Sequence, residues 1–243
     1  MCCGGTRIHS YVRVGYNAGM ANRAYANIWC LDFSEETLLE RLSEFIGTVP
    51  FSATRPGFNG LTIRAVGPGE TPLLDPDLRQ TPADVVEAIE LVKEHLHADS
   101  AYELSAFWDL FDFDTKQKVW HLLPEPLLVK CNGPEYDDGI AVQEGHFQVD
   151  FGLEHLFTGH AGLLGFEDEA LGEPQTEDEA SFLEFMSQPG NLRAYHERTA
   201  ENIRKLFDWM DRVEKAVAVD KILLWSEGEE RLQERMEDIL AVL

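Results

Sequence analysis

Residues 6–16 place Ile8, Ser10, Val12, Val14 and Tyr16 on one side and Arg7, His9, Tyr11 and Arg13 on the other, the period of a half-buried strand. A turn around Gly19 and a second strand-like run over 23–33, through Tyr25, Ile28, Trp29 and Leu31, predict an opening hairpin. Ser34 then offers a helix cap, Glu35 and Glu36 suit the positive end of the helix dipole, and Leu38, Leu39, Leu42, Phe45 and Ile46 form an apolar stripe that must stop before Pro50. A short strand over 61–66 precedes a loop rich in Pro and Gly over 67–80. Thr81 as cap, Pro82 at the first helical position and Asp84 three residues after the cap predict a second helix reaching the neighbourhood of His97.

From Ala101 to Phe151 the pattern becomes that of strands. Tyr102, Leu104, Ala106, Trp108 and Leu110 alternate, 112–117 turns the chain, and 119–122, 127–131 and 146–151 supply further strands. Short links between successive strands predict antiparallel pairing, because a parallel crossover needs a dozen or more residues. Aromatic residues on both sides of the first of these hairpins (Phe107, Trp108, Phe111, Phe113, Trp120) predict either that both faces are covered, the favoured reading, or that one aromatic face awaits a partner.

The last third is helical. Thr176 with Glu179 and Ser226 with Glu229 each form a capping-box pattern. After Pro189 and Gly190 a long helix carries Tyr195, Thr199, Ile203, Leu206, Met210 and Val213 in steps of three and four, a stripe suited to docking on a sheet. A strand-like run over 219–225 and a helix through Leu232, Met236 and Ile239 close the chain. The fold expected is α+β: an antiparallel-rich sheet, helices on one face, and a helical C-terminal portion. Residues 1–166 form the sheet portion and 167–243 the helical one, packed on the same core as a single domain.

Composition refines this picture. The 243 residues are 44% hydrophobic, with 14 Phe, 5 Trp and 6 Tyr, enough apolar area to offset the entropy of ordering the chain. Neither a long apolar span nor a basic-then-apolar leader is recognisable, and the four cysteines (Cys2, Cys3, Cys30, Cys131) contain no CxxC pair, so a thiol-bearing cytoplasmic protein is expected. With 44 acidic and 20 basic residues the formal charge is −24, which disfavours nucleic acid and anionic membranes as partners and favours a basic protein. From Cys131 to Leu192 there are 14 Asp and Glu residues and no Lys or Arg. Glu167, Asp168, Glu169, Glu177, Asp178 and Glu179 are the candidate acidic binding surface.

No GxSxG, GxGxxG, P-loop or CxxC signature occurs, and His196-Glu197 fails as a zinc motif because Ala200 stands where the second histidine would be. The dense polar segment is HFQVDFGLEHLFTGH, residues 146–160. On a strand, His146 and Asp150 lie about 13 Å apart, too far to share an ion, which leaves Asp150, Glu154, His155 and His160 as candidate metal ligands at the strand end. Such a set would suit zinc, manganese or iron and could activate water, whereas the surrounding acids would repel a phosphate on the glycine-rich turn that follows. Two functional readings remain. The first is an acidic binding protein of immunity or inhibitor type; the alternative is a metal-dependent hydrolase centred on those four residues.

Overall fold

A computed structural model describes residues 22–160, 163–164, 174, 176–228 and 231–242. The fold is α+β. Six strands, β1 (Arg23–Cys30), β2 (Gly60–Ala65), β3 (Ser100–Asp114), β4 (Val119–Asn132), β5 (Phe147–Leu153) and β6 (Val219–Ser226), form one antiparallel sheet in the order β2-β3-β4-β5-β1-β6. Helices α1 (Glu35–Ile46), α2 (Val85–Lys93), α3 (Ala141–Glu144), α4 (His155–Thr158), α5 (Glu177–Met186), α6 (Pro189–Ala216) and α7 (Leu232–Ala241) are also described. None of the described helices is long and apolar enough to cross a membrane.

The expected strand at 6–16 lies outside the described residues, and both edges of β1 are taken by β5 and β6. Because β6 belongs to the C-terminal portion, the sheet draws on both sides of residue 167.

Alternation sets the layers. Ala24, Ala26 and Ile28 of β1, Leu104, Ala106 and Trp108 of β3, and Phe147, Val149 and Phe151 of β5 are buried on one face. There they share a single core with Leu38, Leu42 and Phe45 of α1, Ala88 and Val92 of α2, Ile203, Leu206 and Trp209 of α6, and Met236 of α7. Phe45 stacks on Phe147 at 4.2 Å between ring centres, and Trp209 packs 5.8 Å from both Trp108 and Phe151. Alternate residues on the opposite face are half-buried, with Tyr25 stacked on Trp225 at 4.5 Å.

Helix starts follow local chemistry at two places. Ser34 N–H donates to Thr37 Oγ1 at 2.9 Å, and Thr176 accepts from the Glu179 N–H at 3.1 Å. The other two expectations are corrected. α2 starts three residues later than Pro82 suggests, because Ala83 and Phe58 exchange backbone hydrogen bonds at 2.8 and 2.9 Å that hold this stretch extended. Asp84 and Glu87 then cap the helix reciprocally. Ser226 ends a strand rather than starting a helix, and α7 begins at Leu232.

The strands expected at 119–122 and 127–131 are one continuous strand through Pro124 and Pro126. Asn132 N–H points to β5, donating to the His146 carbonyl at 2.8 Å, so by parity the nitrogens of Pro126 and Pro124 face the same side, past the last β4–β5 pair at Leu128 and Asp150. Their missing N–H groups cost no ladder bond there, and they block pairing by another chain.

The opposite edge of this hairpin is closed by side chains and loops. β2 pairs with β3 only as far as Ser105, and beyond it the Ser52 N–H donates to the Phe107 carbonyl at 2.6 Å and Lys205 Nζ to the Asp109 carbonyl at 2.6 Å. Asn202 then acts as a one-residue strand: its Oδ1 accepts from Phe111 N–H at 2.8 Å and its Nδ2 donates to the Phe111 carbonyl at 2.8 Å and to Leu156 at 2.9 Å. Near the hairpin tip the buried side changes from Leu110 to Phe113, which packs on Phe182 and Tyr195 of α5 and α6, while Arg55 and Arg198 lie over the rings of Phe107 and Phe111. Both faces of the aromatic hairpin are therefore covered.

Candidate functional site

The four candidate metal ligands separate into three places. Asp150 projects from β5 onto the face opposite Phe151, where its register partner Tyr25 brings β1 alongside. Arg23 holds it there by two hydrogen bonds, Nε at 2.7 Å and a terminal nitrogen at 2.9 Å, and Asp150 also accepts from the Gly152 N–H at 2.9 Å, where the strand bulges at a glycine with φ of 100°. Glu154 lies at the corner into α4, its Oε2 accepting from the Ser226 hydroxyl at 3.0 Å and so tying β5 to the end of β6.

His155 and His160 do come together. Their ring centres are 4.1 Å apart, because the single turn of α4 folds the chain back on itself before Gly159, whose φ of 81° reverses the backbone. The partners they meet come from distant elements. His155 Nε2 lies 3.5 Å from Asp112 of β3, and His160 is bound by Tyr195 of α6. Phe111, Trp120 and Thr199 help to line the surrounding crevice, which leaves no room for a water molecule. Side chains already fill this space, whereas ligand sites occupy roughly 300 to 1,000 Å³. Among the described residues no group of three or more His, Cys, Asp or Glu is arranged to hold an ion. The set Asp150, Glu154, His155 and His160 does not converge as the spacing suggested.

Hydrogen bonding fixes the position of His160. Its backbone N–H donates to the Tyr195 hydroxyl at 2.7 Å, and that hydroxyl lies 2.7 Å from the ring Nδ1. One hydroxyl thus holds both the backbone and the ring of His160. Burial pushes the pKa down from 6.5 to about 4, with His155 adding to the effect and Asp112 opposing it. Asp112 is shifted the other way, below the usual carboxylate range, chiefly by its hydrogen bond to His155. Burial, reinforced by Asp112, raises Glu125.

The sign of the pH effect follows. Between about 6.5 and about 4 the unfolded chain protonates this histidine and the folded chain does not, so stability is lost as the pH falls through that window. Relative to a His160→Gln variant, the wild-type protein should lose about 3 kcal/mol between neutral pH and pH ~4. Urea titrations of both proteins across this range measure it. A constant difference between them would show that His160 titrates normally.

The remaining polar features are structural. Asp114 accepts from the Lys116 and Gln117 N–H groups at 2.8 Å each, forming the hairpin turn, and His196 hydrogen-bonds the Ile239 carbonyl, joining α6 to α7. His146 accepts from the Cys30 N–H at 2.9 Å and stacks on Phe33. Of the candidate acidic surface, Glu177 and Asp178 are exposed on the first turn of α5 and Glu179 is half-buried. Glu167, Asp168 and Glu169 lie outside the described residues.

Sequence reasoning missed Asp112 and Tyr195 as partners of the histidines, since their approach depends on tertiary packing. It also missed an open groove of about 660 Å³ beside α2, lined by acids and aliphatic side chains. The apolar stripe of this helix counts Val86 with Val85, Ile89 and Val92 as inward-facing, whereas Val86 is 68% exposed, and so the groove gave no sequence signal. No protein-family model matches the chain, and no curated protein or solved structure matches it significantly.

Proposed function

We propose that this chain is an acidic binding protein of inhibitor or immunity type, which captures a basic protein partner. The observation that carries the reading is its charge of −24, with carboxylates such as Glu177, Asp178 and Glu184 exposed on one short helix. Much of the positive charge of the described body is already engaged. Arg23, Arg41, Arg79 and Arg193 sit in ion pairs with carboxylates, and Lys221 lies over the ring of Trp29. The unbalanced acids supply a long-range negative potential that steers a cationic protein into contact and rejects polyanions.

Native mass spectrometry of protein purified from its own cells at low ionic strength tests the reading. The expected result is a complex of fixed stoichiometry with a basic chain, dissociating as salt is raised. A partner of acidic or neutral character would overturn the proposal, as would a lone monomer under all salt conditions.

A further inference from the structure

We infer that the groove between α2 and residues 77–83 is the docking surface for a basic amphipathic helix of the partner, an assignment that rests on the acidic-binding reading above. The groove, of about 660 Å³, has an aliphatic floor of Leu78, Val86 and Leu91. Val86 is 68% exposed although it occupies a helix whose opposite side, Ala88 and Val92, is fully buried in the core. Glu87, Glu90 and Glu94 run along one helical stripe beside this floor, and Asp77 stands on the facing lip. Lys93, the single cation of the lining, is held by Glu90, while Asp77 is held by Arg79, and Glu94 has no ion partner among the described residues.

An aliphatic strip bordered by carboxylates complements a helix whose Leu or Val side chains recur every three to four residues with Lys or Arg beside them. The nine residues of α2 span about 13 Å, which accommodates two to three turns of a helix lying alongside. The surface is also preorganised. The reciprocal cap of Asp84 and Glu87 fixes the start of α2, and the bridge between Ala83 and Phe58 fixes the facing segment. A phosphate-bearing ligand would meet the same carboxylates as repulsion.

The test uses the full chain and two synthetic peptides of equal positive charge, one an amphipathic helix of leucine and lysine and the other lacking the leucines. Binding is followed by fluorescence anisotropy and located by backbone NMR shifts. The amphipathic peptide should bind more tightly and shift resonances of Leu78 and of Val86 to Glu94. Val86→Gln, which keeps the charge and alters an exposed position, should weaken it about tenfold. Glu94→Gln should weaken it roughly threefold. A Glu177→Gln, Asp178→Gln double variant of α5 should leave this affinity unchanged. Equal binding of both peptides, insensitive to Val86→Gln and mapping to α5, would overturn the groove while leaving the acidic-binding reading standing. Failure of both peptides to bind at low salt would overturn the two together.

Discussion

Asn202→Leu should lower the free energy of unfolding by about 4 kcal/mol, although leucine fills a similar volume on a helix stripe that is otherwise largely apolar. The loss has a specific origin. Asn202 is the sole described side chain that supplies both a donor and an acceptor to the β3 edge at Phe111, and it also satisfies the Leu156 carbonyl at the start of α4. Leucine would leave one N–H and two carbonyl groups without those partners, in a region packed by α4 and α6. For a chain of this size the expected fall in melting temperature is about 10 °C. Asn202→Asp should be worse at neutral pH, since its carboxylate faces two carbonyl oxygens. In the fold its carboxyl group would be held above its ordinary pKa, so part of the stability should return as the pH falls. Thermal denaturation of the two variants at two pH values reads both effects, and a Leu variant as stable as the wild type would remove the edge-capping account.

Trp209→Ala should cost about 3 to 5 kcal/mol, the range for emptying a buried aromatic position. The indole is fully buried and lies 5.8 Å from both Trp108 and Phe151, the aromatic residues through which α6 grips the sheet, and its Nε1 donates to Thr48 Oγ1 at 2.9 Å just after α1. Its removal opens a void between helix layer and sheet and also releases the hydroxyl that fixes the end of α1. Trp209→Phe separates the two contributions. It keeps most of the packing and loses the hydrogen bond, so a loss of about 1 kcal/mol should remain from the bond, together with a small packing defect. Urea unfolding of both variants is the measurement, and equal losses would contradict the packing account, because the phenyl ring kept by one variant and absent from the other would then contribute nothing.

Much of this architecture could be read from residue patterns because it depends on neighbours in sequence. The starts of α1 and α5 depend on Ser34 and Thr176 meeting N–H groups one turn away, and the burial of Phe147, Val149 and Phe151 depends on strand alternation. Features set by distant contacts were illegible. A bridge from Ala83 to Phe58 overrode the helix signal of Thr81 and Pro82. The insertion of β1 between β5 and β6 is fixed by pairings across most of the chain.

The site shows the same division. The grouping of His155 with His160 follows from a tight local turn, but the removal of Asp150 to Arg23 and of Glu154 to Ser226 depends on which strands lie beside β5. Asn202 gave one local hint, a polar side chain on the inward stripe of α6, whose meaning required the unpaired edge of β3 to be known.

The central claim is that recognition is driven by the surplus of negative charge, and the dependence of affinity on salt for the purified complex tests it most directly. Between about 50 and about 200 mM monovalent salt, the dissociation constant should rise at least about tenfold, mainly through slower association, as screening shortens the reach of the field. An affinity unchanged over that interval would contradict the claim and leave shape and apolar contact as the basis of binding.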